Sequence, residues 1–267
     1  MPVQPPDAYQ DGALSHTVRT ELDRLRTLER AWDPTTIALI ERLAPQPDWA
    51  CLELGAGAGS IARWLAGRCP RGQVTATDLD TGYLSGAAPA NLRVLRHDVT
   101  AENFPDDGFD LIHARALLVH LPQRQDVLRR ATRWLKPGGR LLVEDPAIFP
   151  VDSSPHPVFQ KVVLGGARLL EATLGTDLRW PRTMPRPLVQ AGLTAPGLRV
   201  NVGTVGDGGP DDLLWRSTFS QARDAMLQHA LLTPEDAAEL DGLLDSPTFL
   251  DVCLAQVSSW AQRPANG

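Results

Sequence analysis

Three features of the chain predict an α/β fold, a Rossmann-like arrangement around a largely parallel sheet. Short apolar runs alternate with stretches of helical period from residue 50 to residue 144. A glycine-rich turn, Gly55-Ala56-Gly57-Ala58-Gly59, follows the first of those runs directly. The length, 267 residues, suits one α/β core with attachments and falls short of two full domains.

The elements follow in order. From Val18 to Leu43, Leu22, Leu25, Leu28, Ile37, Ile40 and Leu43 recur at helical spacing, and Asp33-Pro34 interrupts them where a new helix can start, so two amphipathic helices are expected. Strands are expected over 50–54, 73–77, 92–95, 109–113 and 140–144, with helices over 60–66 and 124–135 between them and a turn at Pro137-Gly138-Gly139. The last third predicts helices over 158–174, 187–190, 213–231 and 234–244, a strand over 198–202, and a closing strand over 250–257.

Composition narrows the function classes. Hydrophobic residues at 43% and charged residues at 22% describe a folded globular chain rather than a disordered or fibrous one. The net charge is 26 minus 32, or −6, with no long basic run, which makes nucleic acid an unexpected partner. Cys51, Cys69 and Cys253 are odd in number, widely spaced and without CxxC pairs, which argues against a disulfide framework or zinc site and fits a reducing cytoplasm. The start, MPVQPPDAYQDG, lacks the features of an export signal, and no apolar run approaches the roughly eighteen residues of a membrane span.

Ligands of such sheets gather at the carboxyl ends of the strands, and three acids stand there. Glu53 lies two residues before Gly55, Asp78 ends the second strand, and Asp98 follows the third in Leu95-Arg96-His97-Asp98-Val99. A carboxylate at Asp78 can accept hydrogen bonds from two ribose hydroxyls, and Asp98 can accept from an adenine amino group. The loop reads G-x-G-x-G with Ser60 where a dinucleotide fingerprint has its last glycine, so the NAD-dependent oxidoreductase reading weakens. Glu53 suits a ligand carrying ammonium and sulfonium charges, as S-adenosylmethionine does.

With these stretches in place (CLELGAGAGS, VTATDLD, LRHDV, FDLIHARALLVHLP and LKPGGRLLVED) the chain resembles the class I S-adenosylmethionine-dependent methyltransferases, and among them the small-molecule branch similar to the ubiquinone and menaquinone methyltransferases. The resemblance spans roughly residues 50–146. It implies a seven-stranded sheet of order 3-2-1-4-5-7-6 with the last strand antiparallel. It also implies S-adenosylmethionine as cofactor, with S-adenosylhomocysteine as product. Gly55, Ala56 and Gly57 then approach the methionine portion, Asp78 holds the ribose, Leu79 packs on the adenine, Asp98 and Val99 read its edge, and His113 offers its backbone to the methionine end. Arg24, in Glu21-Leu22-Asp23-Arg24-Leu25, matches a weaker pattern for an arginine on the cofactor carboxylate; a solvated helix charge is the alternative. The domain expectation is a helical lid over 1–48 and a cofactor-binding α/β domain over 49–267, with acceptor-pocket insertions at about 147–193 and 205–247.

Methyl transfer needs alignment and water exclusion more than acid–base chemistry, unless the acceptor is a neutral hydroxyl or an acidic carbon. His113, His120, Glu144 and Asp145 are candidate bases near the strand ends, and His120, before Leu121-Pro122, and Glu144 are preferred; helix capping or packing is the alternative for His120, and capping or a loop contact for Glu144 and Asp145. Tyr9, Asp145, His156 and Trp180 are candidate acceptor contacts. Phe149, Phe159, Leu169, Leu170, Trp180, Trp215 and Phe219 are expected to enclose an apolar cavity, with core packing as the alternative. His113-Ala114-Arg115-Ala116 is unlike the Asn/Asp-Pro-Pro-aromatic run of amino-methylating DNA enzymes, and no Pro-Cys nucleophile occurs. No carboxylate set suggests a metal. The expected activity is methylation of a small, partly apolar metabolite of secondary metabolism. A non-methylating protein that keeps the cofactor, such as a cyclase or a binding module, remains the alternative.

Overall fold

The structure, a computed structural model, describes residues 18–86 and 88–265. Its elements are α1 (Glu21–Arg42), β1 (Cys51–Leu54), α2 (Ser60–Arg68), β2 (Val74–Asp78), β3 (Leu92–Arg96), β4 (Phe109–Arg115), α3 (Arg124–Trp134), β5 (Leu135–Ala147), α4 (Pro157–Leu174), α5 (Arg186–Gln190), β6 (Thr194–Val205), α6 (Pro210–Gln228), α7 (Pro234–Leu244) and β7 (Asp251–Gln262). The seven strands lie in the order β3-β2-β1-β4-β5-β7-β6, as the resemblance implied. Pairing is parallel for β1 with β2 and β4, β2 with β3, and β4 with β5.

The direction of β7 follows from its partners. The Gly138 N–H donates to Arg263 O (3.1 Å), the Arg263 N–H donates to Gly139 O (2.8 Å), and the Ser258 hydroxyl donates to Glu144 Oε1 (2.6 Å). Positions rising along β5 therefore meet positions falling along β7, so the closing strand is antiparallel.

Two expectations about elements are corrected. Residues 21–42 form one helix with Pro34 inside it, not two helices. The proline forfeits the bond to the Arg30 carbonyl, a loss of a few kcal/mol, but Trp32, Leu39 and Ile40 are buried on either side and the Thr36 hydroxyl is bonded below. The Pro137-Gly138-Gly139 turn is absorbed into β5, at the cost of a register shift between Phe109 and Leu111.

The chain divides into two compact units. Among the described residues, one holds Trp32–Asp145, Pro181–Val200 and 257–265; the other holds 18–31, Pro146–Trp180 and Asn201–Gln256. In the first, Leu39, Ile40, Leu43, Cys51, Ile61, Leu65, Val74, Leu111 and Leu142 form the apolar core beneath the glycine turn. Cys51 and Cys69, distant in sequence, come to 3.9 Å between sulfurs at the start of β1 and the end of α2, as free thiols.

In the second unit, the start of α1 is tied to α6 by Gln221, whose side-chain amide donates to Glu21 Oε2 (2.7 Å), and by Thr27 and Ser217, whose hydroxyls are 3.2 Å apart. Of the aromatics expected to enclose a cavity, Phe159, Trp215 and Phe219 instead fill this unit's own core, while Phe149 and Trp180 are half-buried. Phe159, Trp215 and Phe219 are buried, with ring centroids 5.0 Å apart for the first pair and 5.5 Å for the stacked second pair, and Phe249 lies 5.5 Å from Phe159. Rings of this size gain most when closed on every side. No helix among the described residues is long and apolar enough to cross a membrane.

Candidate functional site

The glycine turn between β1 and α2 takes a path that side chains oppose. Gly55, Gly57 and Gly59 have φ of +65°, +54° and +87°, a region that costs a residue bearing a Cβ about 1–2 kcal/mol. A Cβ at Gly55 would also stand 3.1 Å from Leu117 Cδ1, and one at Gly59 would stand 2.6 Å from Leu84 Cδ2. The turn is a bare backbone cradle. Its Ala56 N–H donates to Thr77 O (2.8 Å) and its Gly57 N–H donates to Asp78 Oδ2 (2.9 Å). The end of β2 thus holds the turn, and the half-exposed Asp78 carboxylate also accepts from the Asp80 amide at Oδ1 (3.3 Å). Leu79 is half-buried beside it.

Asp98 and Val99 follow β3. Asp98 Oδ1 accepts from the Thr100 amide (2.8 Å) and hydroxyl (2.6 Å), which leaves Oδ2 uncommitted among the described residues. Val99 is buried, and its carbonyl accepts from Arg130. These three strand ends fit a nucleoside with a charged tail: an approachable backbone, an anchored acid for vicinal hydroxyls, and a second acid for an amino group.

Behind the turn lies a buried ionic chain that the sequence did not disclose. His113 on β4 is wholly buried; its Nδ1 faces Glu53 at 2.8 and 2.9 Å and its Nε2 faces Glu144 at 3.1 Å. Burial alone would strip its proton, but the attraction of Glu53 and the hydrogen bonds to both carboxylates prevail and raise its pKa to about 9. With an acceptor at each ring nitrogen, only the imidazolium can donate at both ends. Burial also opposes ionisation of Glu144, and the bonds from His113, Ser258 and Thr36 overcome it, holding that carboxyl below its ordinary value. Thr36 donates to Glu144 Oε2 (2.6 Å) and accepts from Arg115 (3.1 Å). Arg115 pairs with Asp33 (2.8 Å), which in turn accepts from the Ser60 hydroxyl (3.1 Å) at the start of α2.

This chain bears on three assignments. Glu53, expected to face a ligand's ammonium, has both its oxygens at the His113 cation. His113 contributes its side chain, not merely its backbone. Glu144, expected as a base at the cleft, is 0% exposed and bonded on both oxygens, so it cannot reach an acceptor.

The remaining candidates belong to both units. His120 is half-buried and ends the short turn Leu118–His120 just beyond β4. Asp145, near the end of β5, is buried, with Oδ1 accepting from the Leu117 amide (3.0 Å). Arg24 is bound through two nitrogens to Glu21 (2.8 and 2.7 Å), so the guanidinium intended for a cofactor carboxylate already holds a carboxylate of its own helix. His156 precedes α4, with its ring 5.1 Å from Phe249, and Trp180 opens the turn Trp180–Thr183. Tyr9 lies outside the described residues. No cluster of three or more His, Cys, Asp or Glu among the described residues is arranged to hold a metal.

A family profile described as a methyltransferase domain matches residues 52–143, the stretch that carries the glycine turn, Asp78, Asp98, His113 and His120. The chain carries a methyltransferase domain. Its sheet order is the one that the resemblance to the class I S-adenosylmethionine-dependent methyltransferases implied. The chain is similar to phosphoethanolamine N-methyltransferase 3 of Arabidopsis thaliana, 28% identical over 127 residues that make up 45% of this chain and 26% of that protein. It is also similar to a methyltransferase of Strobilurus tenacellus, 38% identical over 146 residues, 52% of this chain and 51% of that one. The chain therefore spans about a quarter and about half of these two relatives. Among solved structures, phosphoethanolamine N-methyltransferase 2 of Haemonchus contortus, in complex with phosphomonomethylethanolamine and S-adenosylhomocysteine, aligns with a TM-score of 0.63 at 15% identity, over all of this chain and 62% of that one. At that identity the likeness is one of fold.

Proposed function

We propose that this methyltransferase domain binds S-adenosylmethionine at the glycine turn and transfers its methyl group to a small metabolite. The observation that carries the reading is the bond from the Gly57 amide to Asp78, which joins the bare turn to the acid that would receive the ribose hydroxyls. The cofactor supplies an electrophilic methyl on a sulfonium, whose bonding electrons stay on sulfur as the acceptor takes the methyl. The chain's own residues bind, orient and exclude water: Gly55 to Gly57 leave room for the methionine portion, Asp78 and Leu79 hold ribose and adenine, and Asp98 with Val99 reads the adenine edge.

His120 is the candidate for taking a proton from the acceptor, since it stands on the turn directly after β4 while Glu144 is buried and engaged. Where the acceptor is a neutral hydroxyl or acidic carbon, His120→Ala is expected to lower kcat by about 10²–10⁴-fold with KM little changed. An acceptor turned over equally well by that variant would remove His120 from the chemistry. Among the expected acceptor contacts, Asp145 receives a different role below, and His156 and Trp180 remain candidates for the acceptor side.

For the acceptor itself, a partly apolar product of secondary metabolism is our reading. The net charge of −6 supports a small molecule over a nucleic acid. The apolar part of the reading is carried by the pattern of the sequence alone, since Phe159, Trp215 and Phe219 are spent in a core.

Calorimetric titration with S-adenosylmethionine, S-adenosylhomocysteine and NAD tests the cofactor assignment. The first two are expected to bind at about micromolar strength, near 8 kcal/mol. Asp78→Ala is expected to weaken that by about 1.5–3 kcal/mol through lost charge-assisted bonds. Binding of NAD in place of the other two would return the site to the oxidoreductases. Mass spectrometry of candidate acceptors then looks for one added methyl; turnover without it would favour a cyclase-like use of the cofactor.

A further inference from the structure

Asp145 is a buried carboxyl whose two oxygens are treated differently. Oδ1 accepts from the Leu117 amide at 3.0 Å, and the Val119 amide also donates to the carboxyl. Oδ2 is buried and has no hydrogen-bond partner among the described residues. Nothing in the buried ionic chain behind the glycine turn reaches it: Glu144 next to it is bonded to His113, Thr36 and Ser258.

The turn that Asp145 holds is short and conformationally costly. Ala116 has φ of +50°, a left-handed value at a residue with a Cβ, and its amide is bonded to Glu144 O (2.8 Å). Residues Leu118–His120 then make one tight turn whose free amides, as at any helix start, need acceptors. Asp145 supplies them from β5. Leu117, whose amide it takes, is the residue whose side chain stands over Gly55, so close that a Cβ there would lie 3.1 Å from Leu117 Cδ1.

We propose that Asp145 is a positioning residue for the ligand site, its carboxyl fixing the Ala116–His120 turn so that Leu117 covers Gly55 and sets the space left for a ligand on the glycine turn. The ligand part of this proposal rests on the cofactor reading above. Burial raises the Asp145 pKa to about 8, the bonds from Val119 and Leu117 and the charge of Arg124 offset part of that, and Glu144 adds to it. At neutral pH the group is therefore chiefly a neutral acid, with its proton on the oxygen that needs no acceptor bond from the turn. Asparagine has the same shape and the same accepting oxygen, so it is expected to do the positioning.

The test compares Asp145→Asn and Asp145→Ala. In D145A, amide exchange at Leu117 and Val119 is expected to quicken by about tenfold or more, and S-adenosylhomocysteine affinity to fall by about 30-fold. In D145N, both are expected to stay within about threefold of the parent, while Tm at pH 9 rises by roughly 5 °C because no buried carboxylate has to form. Affinity and stability then move independently, which a merely structural role would not produce. A D145A protein that binds like the parent overturns the proposal, and so does a D145N protein that loses as much affinity as D145A. If the parent binds no S-adenosylhomocysteine, the cofactor reading falls by itself, and exchange at Leu117 and Val119 decides the rest: unchanged protection in D145A ends it.

Discussion

Replacing His113 with leucine is expected to cost about 3–5 kcal/mol of folding stability, the usual penalty for removing one partner of a buried ionic group. The cation lies between Glu53 and Glu144, both buried, and faces a carboxylate at each ring nitrogen. The pH dependence carries a sign that can be checked. The folded pKa of His113, about 9, is raised above its ordinary value of 6.5, so its contribution is fully present below about pH 6.5 and is lost as pH rises through 9. With 1.36 kcal/mol per unit, the parent should lose on the order of 3 kcal/mol across that window. Urea unfolding at pH 6.5 and pH 9 measures both effects, and H113L should show a flatter profile between them, keeping only the loss that Asp145 contributes as pH rises to about 8. A variant as stable as the parent, or a parent whose midpoint does not move over this range, would mean that the imidazolium is not the form the fold uses.

Why the role of His113 stayed hidden is a matter of sheet geometry. In a strand with one wet face, alternation tells which way each side chain points, but β1 reads as Cys-Leu-Glu-Leu with all four residues buried. The register pairs Glu53 with His113, and Arg115 with Glu144, so His113 stands two positions from the neighbour of Glu144. Neither pairing nor face is written in the local sequence, and a glutamate before a glycine turn looked like a ligand contact for want of its cross-strand neighbour. Thr36 and Ser258 were harder still, since each reaches Glu144 from far along the chain.

What was legible had local causes. Glycines at positive φ, acids at strand ends and the alternation of strand with helix are properties of short stretches, and β1, α2, β2, β3, β4 and α3 lie within about two residues of where the pattern placed them. The aromatics of the last third depended on how α4 and α6 meet, which helical period does not state. The same holds for Pro34, where the burial of Trp32, Leu39 and Ile40 outweighs a local signal to stop.

Gly55→Val should have the largest effect on the ligand site. The φ of +65° already costs a residue with a Cβ about 1–2 kcal/mol, more for a β-branched one. The added Cβ would sit 3.1 Å from Leu117 Cδ1 and 3.3 Å from Leu117 Cβ, so relief requires moving Leu117, whose amide is bonded to Asp145. Valine therefore either flattens the turn, which withdraws the Gly57 amide from Asp78, or lifts the Ala116–His120 turn, and both disturb the surface a methionine tail would lie on. S-adenosylhomocysteine affinity is expected to fall at least about 100-fold, near 2.7 kcal/mol. Gly55→Ala, without branching, should lose about tenfold and keep the parent's circular dichroism, so it answers the question even if the valine protein does not fold. Parent-like affinity in the alanine variant, with the turn shown intact by exchange at Gly57, would move the ligand away from this cradle and with it the proposed chemistry.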